Sequence, residues 1–297
     1  MLQSYRPSNR VPPRGIFFLL LAIVCGGFIC GLIAFTVAQL FWLILLFPIG
    51  LGLMVGGILS KLIATQNIRS PLASAVSALL MGLVLYATFH LLAYQSFRWE
   101  VAQIFVEREG PMDSALQEEM IDLVLTEETG FSGFFGYLKL QAQEGISIGR
   151  VGSTNPITLN EPLTWLYWLL EAGLIVGFAT GTAVSSAKKP FCELCQSWYR
   201  SSEHLGSVAM SNAAQFMELV RAGNMQPAGA LLVGSGTPTP SLEVYIQRCL
   251  HDSEHNSVLA VREMSLNRKG QTQFKEVLQG MIAPHEAAAL KPADATS

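Results

Sequence analysis

The sequence predicts an α-helical membrane protein, a four-transmembrane-helix bundle with a small α+β tail domain. Three observations predict it. Four apolar stretches, Ile16–Val37, Leu40–Ser60, Pro71–Tyr94 and Leu163–Ser185, each run to about 18 residues or more and are nearly free of charge. The 297-residue chain is 51% hydrophobic and 14% charged, too oily for an ordinary soluble domain. Beyond the fourth stretch, period-two alternation and turn residues replace the apolar runs.

Residues 1–15 form a basic N-terminus with Arg6, Arg10 and Arg14. Residues 16–94 supply helices 1–3. The first two are a tight hairpin turning at Ala38–Gln39, and Lys61 and Arg69 sit between the second and third. Lys188 and Lys189 follow the fourth helix, at residues 163–185. All these bases fall on one side if the chain starts inside, so the positive-inside rule puts both termini in the cytoplasm. The expected location is a bacterial inner membrane. The first stretch is too long for a cleaved leader and reads as an uncleaved anchor.

Residues 95–162 then form an acidic extracytoplasmic loop, with eleven acids against four bases. Ser114 and Gln117 match a capping box, opening a helix with Leu116, Met120, Leu123 and Val124 on one face. The aromatic segment Phe131–Leu140 suits a membrane interface, and Trp165, Tyr167 and Trp168 form an aromatic belt. The tail, residues 186–297, carries ten acids and ten bases. No basic excess marks either piece, which excludes nucleic acid as a partner.

Small residues recur every four positions at Gly27–Gly31, Gly52–Gly56 and Ser74–Ala78–Gly82, and most persistently at Gly173, Gly177, Gly181 and Ser185. That spacing lets helix backbones approach closely. Internal packing is its first reading and a homodimer seam its second. Glu171 is the one acid within the four stretches, and His90 lies at comparable depth. A buried acid in lipid demands a partner, so the two are expected to pair, either as a polar clamp or as an ion-handling site.

Cys192-Glu-Leu-Cys195 is the best local motif, because two thiolates at that spacing can face one tetrahedral metal. Cys249, His251 and His255 at the end of a strand-like run are candidates for the second half. Together they give the tail a zinc-ribbon-like reading, with zinc in a structural role. Free thiols and redox chemistry are the alternatives. Around these residues the expectation is a helix near Asn212–Arg221 and strands at Leu242–Cys249, Val258–Leu266 and Phe274–Ile282. His251-Asp-Ser-Glu254-His255 also matches the H-x-x-E-H string of inverted zinc peptidases. It lacks a helical context and a downstream acidic ligand, and stands as the enzymatic alternative. No phosphate loop, nucleophile elbow or dinucleotide fingerprint is present.

The segment Pro190-Phe-Cys-Glu-Leu-Cys-Gln-Ser-Trp198-Tyr199, directly after a fourth span, resembles uncharacterised bacterial multi-pass proteins with a Cys-x-x-Cys-bearing cytosolic tail. The resemblance covers spans and tail and implies no activity. The expectation is a bilayer-embedded interaction or regulatory module with a cytosolic protein partner. A small transporter using Glu171 and His90 is its alternative.

Overall fold

Apolar runs without a breaker become long helices. In the computed structural model, which describes residues 5–40, 45–111, 113–148, 157–199, 202–234, 237–249 and 255–290, four helices are long and apolar enough to cross a membrane. The first spans Pro13–Ala38. It comprises α1 (Pro13–Leu21) and α2 (Gly27–Ala38), joined through a π turn at Ala22–Gly26. Pro13 starts it where a missing backbone N–H costs nothing. The second is α3 (Leu46–Thr65), which begins later than the apolar run does and extends past Lys61. The third, α4 (Pro71–Glu109), continues well beyond Tyr94. No glycine or proline interrupts the charged stretch after Tyr94, so the helix persists until Gly110 and Pro111 end it. The fourth is α7 (Glu161–Ala187).

Between the last two lie α5 (Ser114–Thr129), α6 (Gly133–Glu144) and the short pair β1 (Ser147–Ile148) and β2 (Ile157–Thr158). The capping box expected at Ser114 does not form, because Asp113 takes the N-cap position and its carbonyl accepts from Gln117 N–H. The buried face of α5 is Ile121, Leu125 and Thr129, while Leu116, Leu123 and Val124 stay exposed. Tyr137 of α6 packs on Tyr94 and Phe97 of α4, with ring centroids 5.4 and 5.1 Å away. Burial pushes its phenol up to about 12.

Two compact units result, one of Val11–Gln66 with Pro71–Ser186, the other of Met1–Arg10, Asn67–Ser70 and Ala187–Ser297. In the helical unit, glycines mediate two close approaches. A methyl group at Gly31 would lie 2.6 Å from the Thr88 Cβ of α4, and one at Gly52 would lie 2.7 Å from the Ile175 carbonyl of α7. The longest glycine run does not do this. A Cβ at Gly173, Gly177 or Gly181 meets nothing within 4 Å, and all three are exposed. The stripe α7 buries is Tyr167, Glu171, Ile175, Ala179, Ala183 and Ala187, set two residues and so about 200° away from the glycines. Internal packing by Gly173, Gly177 and Gly181 is therefore corrected: the isoleucine and alanines win the interior because they add contact area that glycine lacks.

The other unit opens with the hairpin of β3 (Phe191–Cys192) and β4 (Ser197–Trp198). Its main sheet is an antiparallel meander of β5 (Glu203–Ala209), β6 (Ser241–Gln247), β7 (Ser257–Leu266) and β8 (Thr272–Ile282). Between β5 and β6 come α8 (Ala213–Ala222), ended by Gly223 in the left-handed conformation, and α9 (Met225–Gly229); α10 (Pro284–Ala289) follows β8. Alternation sends Leu242, Val244 and Ile246 of β6 to one face, where they form a core with Phe216 and Val220 of α8. Burying Phe216 completely contributes about 2–3 kcal/mol. The opposite face carries Ser241, Glu243 and Tyr245, paired across to Met264, Arg262 and Ala260 of β7.

Candidate metal centre

The local chain around Cys192 turns because β3 and β4 pair at once, Phe191 with Trp198 and Cys192 with Ser197. Residues 193–196 form the turn, and Gln196 takes a left-handed φ of 51°. Phe191 and Trp198 meet edge to face at 5.0 Å and support the hairpin from one side. Cys192 and Cys195 are thereby presented together at its tip.

The second half of the site comes from the β6–β7 connection. Cys249 follows the end of β6 and His255 precedes β7. The Tyr199 hydroxyl donates to the Asn256 carbonyl at 2.8 Å, tying β4's exit to the residue beside His255. Burial raises the Tyr199 phenol. As a result Cys192, Cys195, Cys249 and His255 place one ligand atom each within 4.8 Å of the others. His255 Nδ1 lies 3.1 Å from the Cys195 sulfur and 3.7 Å from the Cys192 sulfur.

These distances can be tested against a metal. Zn–S bonds of about 2.3 Å and a Zn–N bond of about 2.0 Å at tetrahedral angles imply S···N edges of about 3.5 Å. The two observed edges bracket that value. The donor chemistry fits as well: three thiols and an imidazole are the soft set that selects zinc over calcium or magnesium. Without a cation the thiols oppose one another's ionisation. Hydrogen bonding from Cys249, then burial, then Cys192 push the Cys195 thiol up to about 12. A bound divalent ion reverses that direction and releases protons on binding.

Two further segments grip the knuckle. Arg69, 5% exposed, pairs with Glu193 inside the Cys-x-x-Cys turn, and its guanidinium lies 4.6 Å from the centre of the Phe191 ring. Asn67 donates its side-chain amide to the Gln196 carbonyl at 3.3 Å. From the N-terminal segment, the Arg10 carbonyl accepts from Arg69 N–H at 3.0 Å. The Tyr5 hydroxyl donates to the Lys189 carbonyl and accepts from Phe191 N–H, both at 3.2 Å. Beside the knuckle lies a cavity of about 330 Å³ bordered by Tyr5, Phe191, Tyr199, His255 and Met281. Leu194, at the tip of the turn, is 78% exposed.

Of the sequence-predicted ligands, Cys192, Cys195, Cys249 and His255 come together, while His251 and Glu254 lie outside the described residues. The position of His255 bears on the peptidase string, since its Nδ1 faces the thiols. Glu171 and His90 do not pair. Tyr167 donates to Glu171 at 2.8 Å. The Tyr86 hydroxyl lies 3.1 Å from the Trp168 carbonyl and 3.4 Å from the second Glu171 oxygen, dividing one proton between two acceptors. His90 sits among rings instead, 4.6 Å from Tyr86 and 5.4 Å from Trp168. The correction has a simple cause. Tyr167 is one helical turn before Glu171 on the same face and reaches the carboxylate first.

Sequence reasoning missed Arg69, Asn67, Tyr5 and Tyr199, which carry no motif and act only through the fold. It also missed a network in which the exposed His204 reaches the buried Glu243, Nε2 to carboxylate 2.7 Å, and the Ser241 hydroxyl donates to Glu243 at 2.7 Å. Strict alternation along Ser241–Gln247 was the available signal, placing Ser241 and Glu243 on one face. The carboxylate, not the imidazole, occupies the middle of this network, so it lacks the nucleophile–base contact of a catalytic triad. The sequence matches no family model, and neither a characterised protein nor a solved structure matches the chain.

Proposed function

We propose that this protein is a membrane-anchored regulatory or interaction module whose four apolar helices span a bilayer. Its Cys192–Cys195–Cys249–His255 cluster holds a structural zinc ion. The observation that carries the reading is the completeness of that donor set. Three sulfurs and one nitrogen fill a tetrahedron and leave no open coordination position, as structural zinc sites do and catalytic ones do not. The metal would tie the β3–β4 hairpin to the β6–β7 connection, fixing two segments that the hydrophobic core of the sheet does not include.

The proposed topology has both termini and the metal-holding unit in the cytoplasm, with residues 95–162 outside, following the bases at Arg6, Arg10, Arg14, Lys61, Arg69, Lys188 and Lys189. A cytosolic protein partner is the reading for the exposed Leu194 and the adjoining cavity, since a 78% exposed leucine beside a concave surface leaves apolar area that a partner would cover. Asn67–Ser70, which joins α3 to α4, belongs to the metal-holding unit. Occupancy of the centre therefore acts directly on the turn between two apolar helices, giving the module a route for regulation.

The test is metal content of the full-length protein purified in detergent. About one zinc per chain is expected, falling to near zero in Cys195→Ser. Chelation should open Cys192, Cys195 and Cys249 to thiol labelling while the sheet signal and the helical ellipticity of the apolar helices persist. A fully folded, zinc-free wild-type chain after purification without chelator would sink the metal reading.

A further inference from the structure

A groove of about 440 Å³ runs between the first and second apolar helices, lined by Phe18, Leu21, Cys25, Ile58, Lys61 and Leu62 among others. Two features distinguish it from the general apolar surface. It is built on the π turn, which contributes Ala22, Cys25 and Gly26 to its wall. Such turns are a recurrent feature of functional sites because they reshape the local helix surface. It also ends in positive charge. Lys61 lines the groove, four residues before the end of α3. Arg14, one helical turn before Phe18, lies on the same face of α1. Only residues 39–45 separate the two helices, too few to return along a helix of that length, so the helices run in opposite directions and both cations belong to one end. Neither makes an ion pair among the described residues.

We propose that this groove is a binding site for an anionic phospholipid, with one acyl chain against Phe18, Leu21, Cys25 and Ile58 and the phosphate held by Lys61 and Arg14. The inference rests on the membrane reading given above. The volume falls within the range of small-molecule sites. A hydrocarbon chain matches the lining, and a phosphate matches the two unpaired cations at a depth that Lys61 can span by extending along the helix. Charge decides between lipid and a second copy of this chain. A two-fold partner on the same groove would bring Lys61 and Arg14 towards their own copies, with no acid of the groove to offset them.

The experiment uses the full chain reconstituted in phosphatidylcholine vesicles with trace spin-labelled lipid, either phosphatidylglycerol or phosphatidylcholine. The readout is the motionally restricted fraction. Wild type should retain phosphatidylglycerol about tenfold over phosphatidylcholine, and Lys61→Gln should reduce that preference about fivefold. Cys25→Trp keeps both cations and fills the groove, so it should lower retention of both lipids. Equal selectivity in wild type and Lys61→Gln overturns the site, as does a Cys25–Cys25 cross-link that excludes the labelled lipid. Release of the chain by alkaline carbonate overturns the membrane reading along with the site. Retention in the membrane without lipid preference removes the site alone.

Discussion

The helical unit packs through glycine-mediated close approaches, whereas the other unit gathers four candidate metal ligands at one point beside a conventional hydrophobic core. Along α2 and α3, contacts such as Gly31 on Thr88 and Gly52 on Ile175 recur one turn away at Gly27 and Gly56. In the other unit, Phe216, Val220, Val244 and Ile246 stabilise the sheet, but Cys192 and His255 meet only if their two loops are brought together. Distributed packing tolerates local damage; a point closure does not. Beyond the loss of zinc in Cys195→Ser, four substitutions or titrations should sharpen that contrast.

The largest expected effect within the helical unit is at the close approaches. Gly52→Val places a side chain where a single Cβ already comes within 2.7 Å of backbone, and should cost about 3 kcal/mol. Gly177→Val, facing open space, should stay within about 0.5 kcal/mol in stability. Thermal unfolding in detergent compares the pair. Equal effects would break the assignment of faces on α7, and loss of an oligomer in Gly177→Val alone would identify the glycine face as a seam between copies.

Arg69→Ala comes next. It removes the stack on Phe191 and the partner of Glu193, which is itself partly exposed, so the cost should be about 1–2 kcal/mol. Zinc should stay bound but dissociate faster to a competing chelator. An unchanged release rate would mean that Arg69 does not support the knuckle.

At Glu171, the glutamine variant keeps an acceptor for Tyr167 and should shift stability by about 1 kcal/mol or less, whereas Glu171→Leu leaves that hydroxyl unpaired and should cost about 2 kcal/mol. The same pair decides between a clamp and an ion pathway. Proteoliposome flux abolished by Glu171→Gln with stability intact would favour the pathway.

The smallest effect is a titration. Burial raises the Tyr137 phenol to about 12, against an ordinary value of about 10. A raised acid favours the neutral form in the folded state, so its contribution is complete below about pH 10 and is lost as pH rises from there towards 12. Tyr137→Phe should flatten that alkaline decline in the packing of α6 on α4, followed by tyrosinate absorbance.

Some of this was legible in the residues and some was not. The presence of each apolar helix follows from composition, though not the full length of α4, which runs past Tyr94, and strand faces follow from alternation, as in Leu242, Val244 and Ile246. The Cys192–Cys195 pair was legible for the same local reason: its spacing is a property of one turn. Faces of α7 were not. Gly173–Gly177–Gly181 and Ile175–Ala179–Ala183 have the same period, and only the neighbouring helices decide which stripe is buried. The partner of Glu171 was also misplaced, since depth along two helices does not specify their rotation.

The sequence by itself therefore determined the apolar runs of four helices, the strands β6, β7 and β8 though not β5, and that thiols and imidazoles capable of holding a metal are present. Each is set by interactions within about a dozen residues. Tertiary structure showed that Cys249 and His255, already candidates in the sequence, meet the Cys192–Cys195 turn, and it alone decided that Arg69 and Tyr5 grip that turn and that Tyr167, not His90, bonds Glu171. The pairings of Cys192 with His255, Arg69 with Glu193 and Tyr5 with Phe191 close over large separations in the chain, where the packing of whole elements sets which side chains meet.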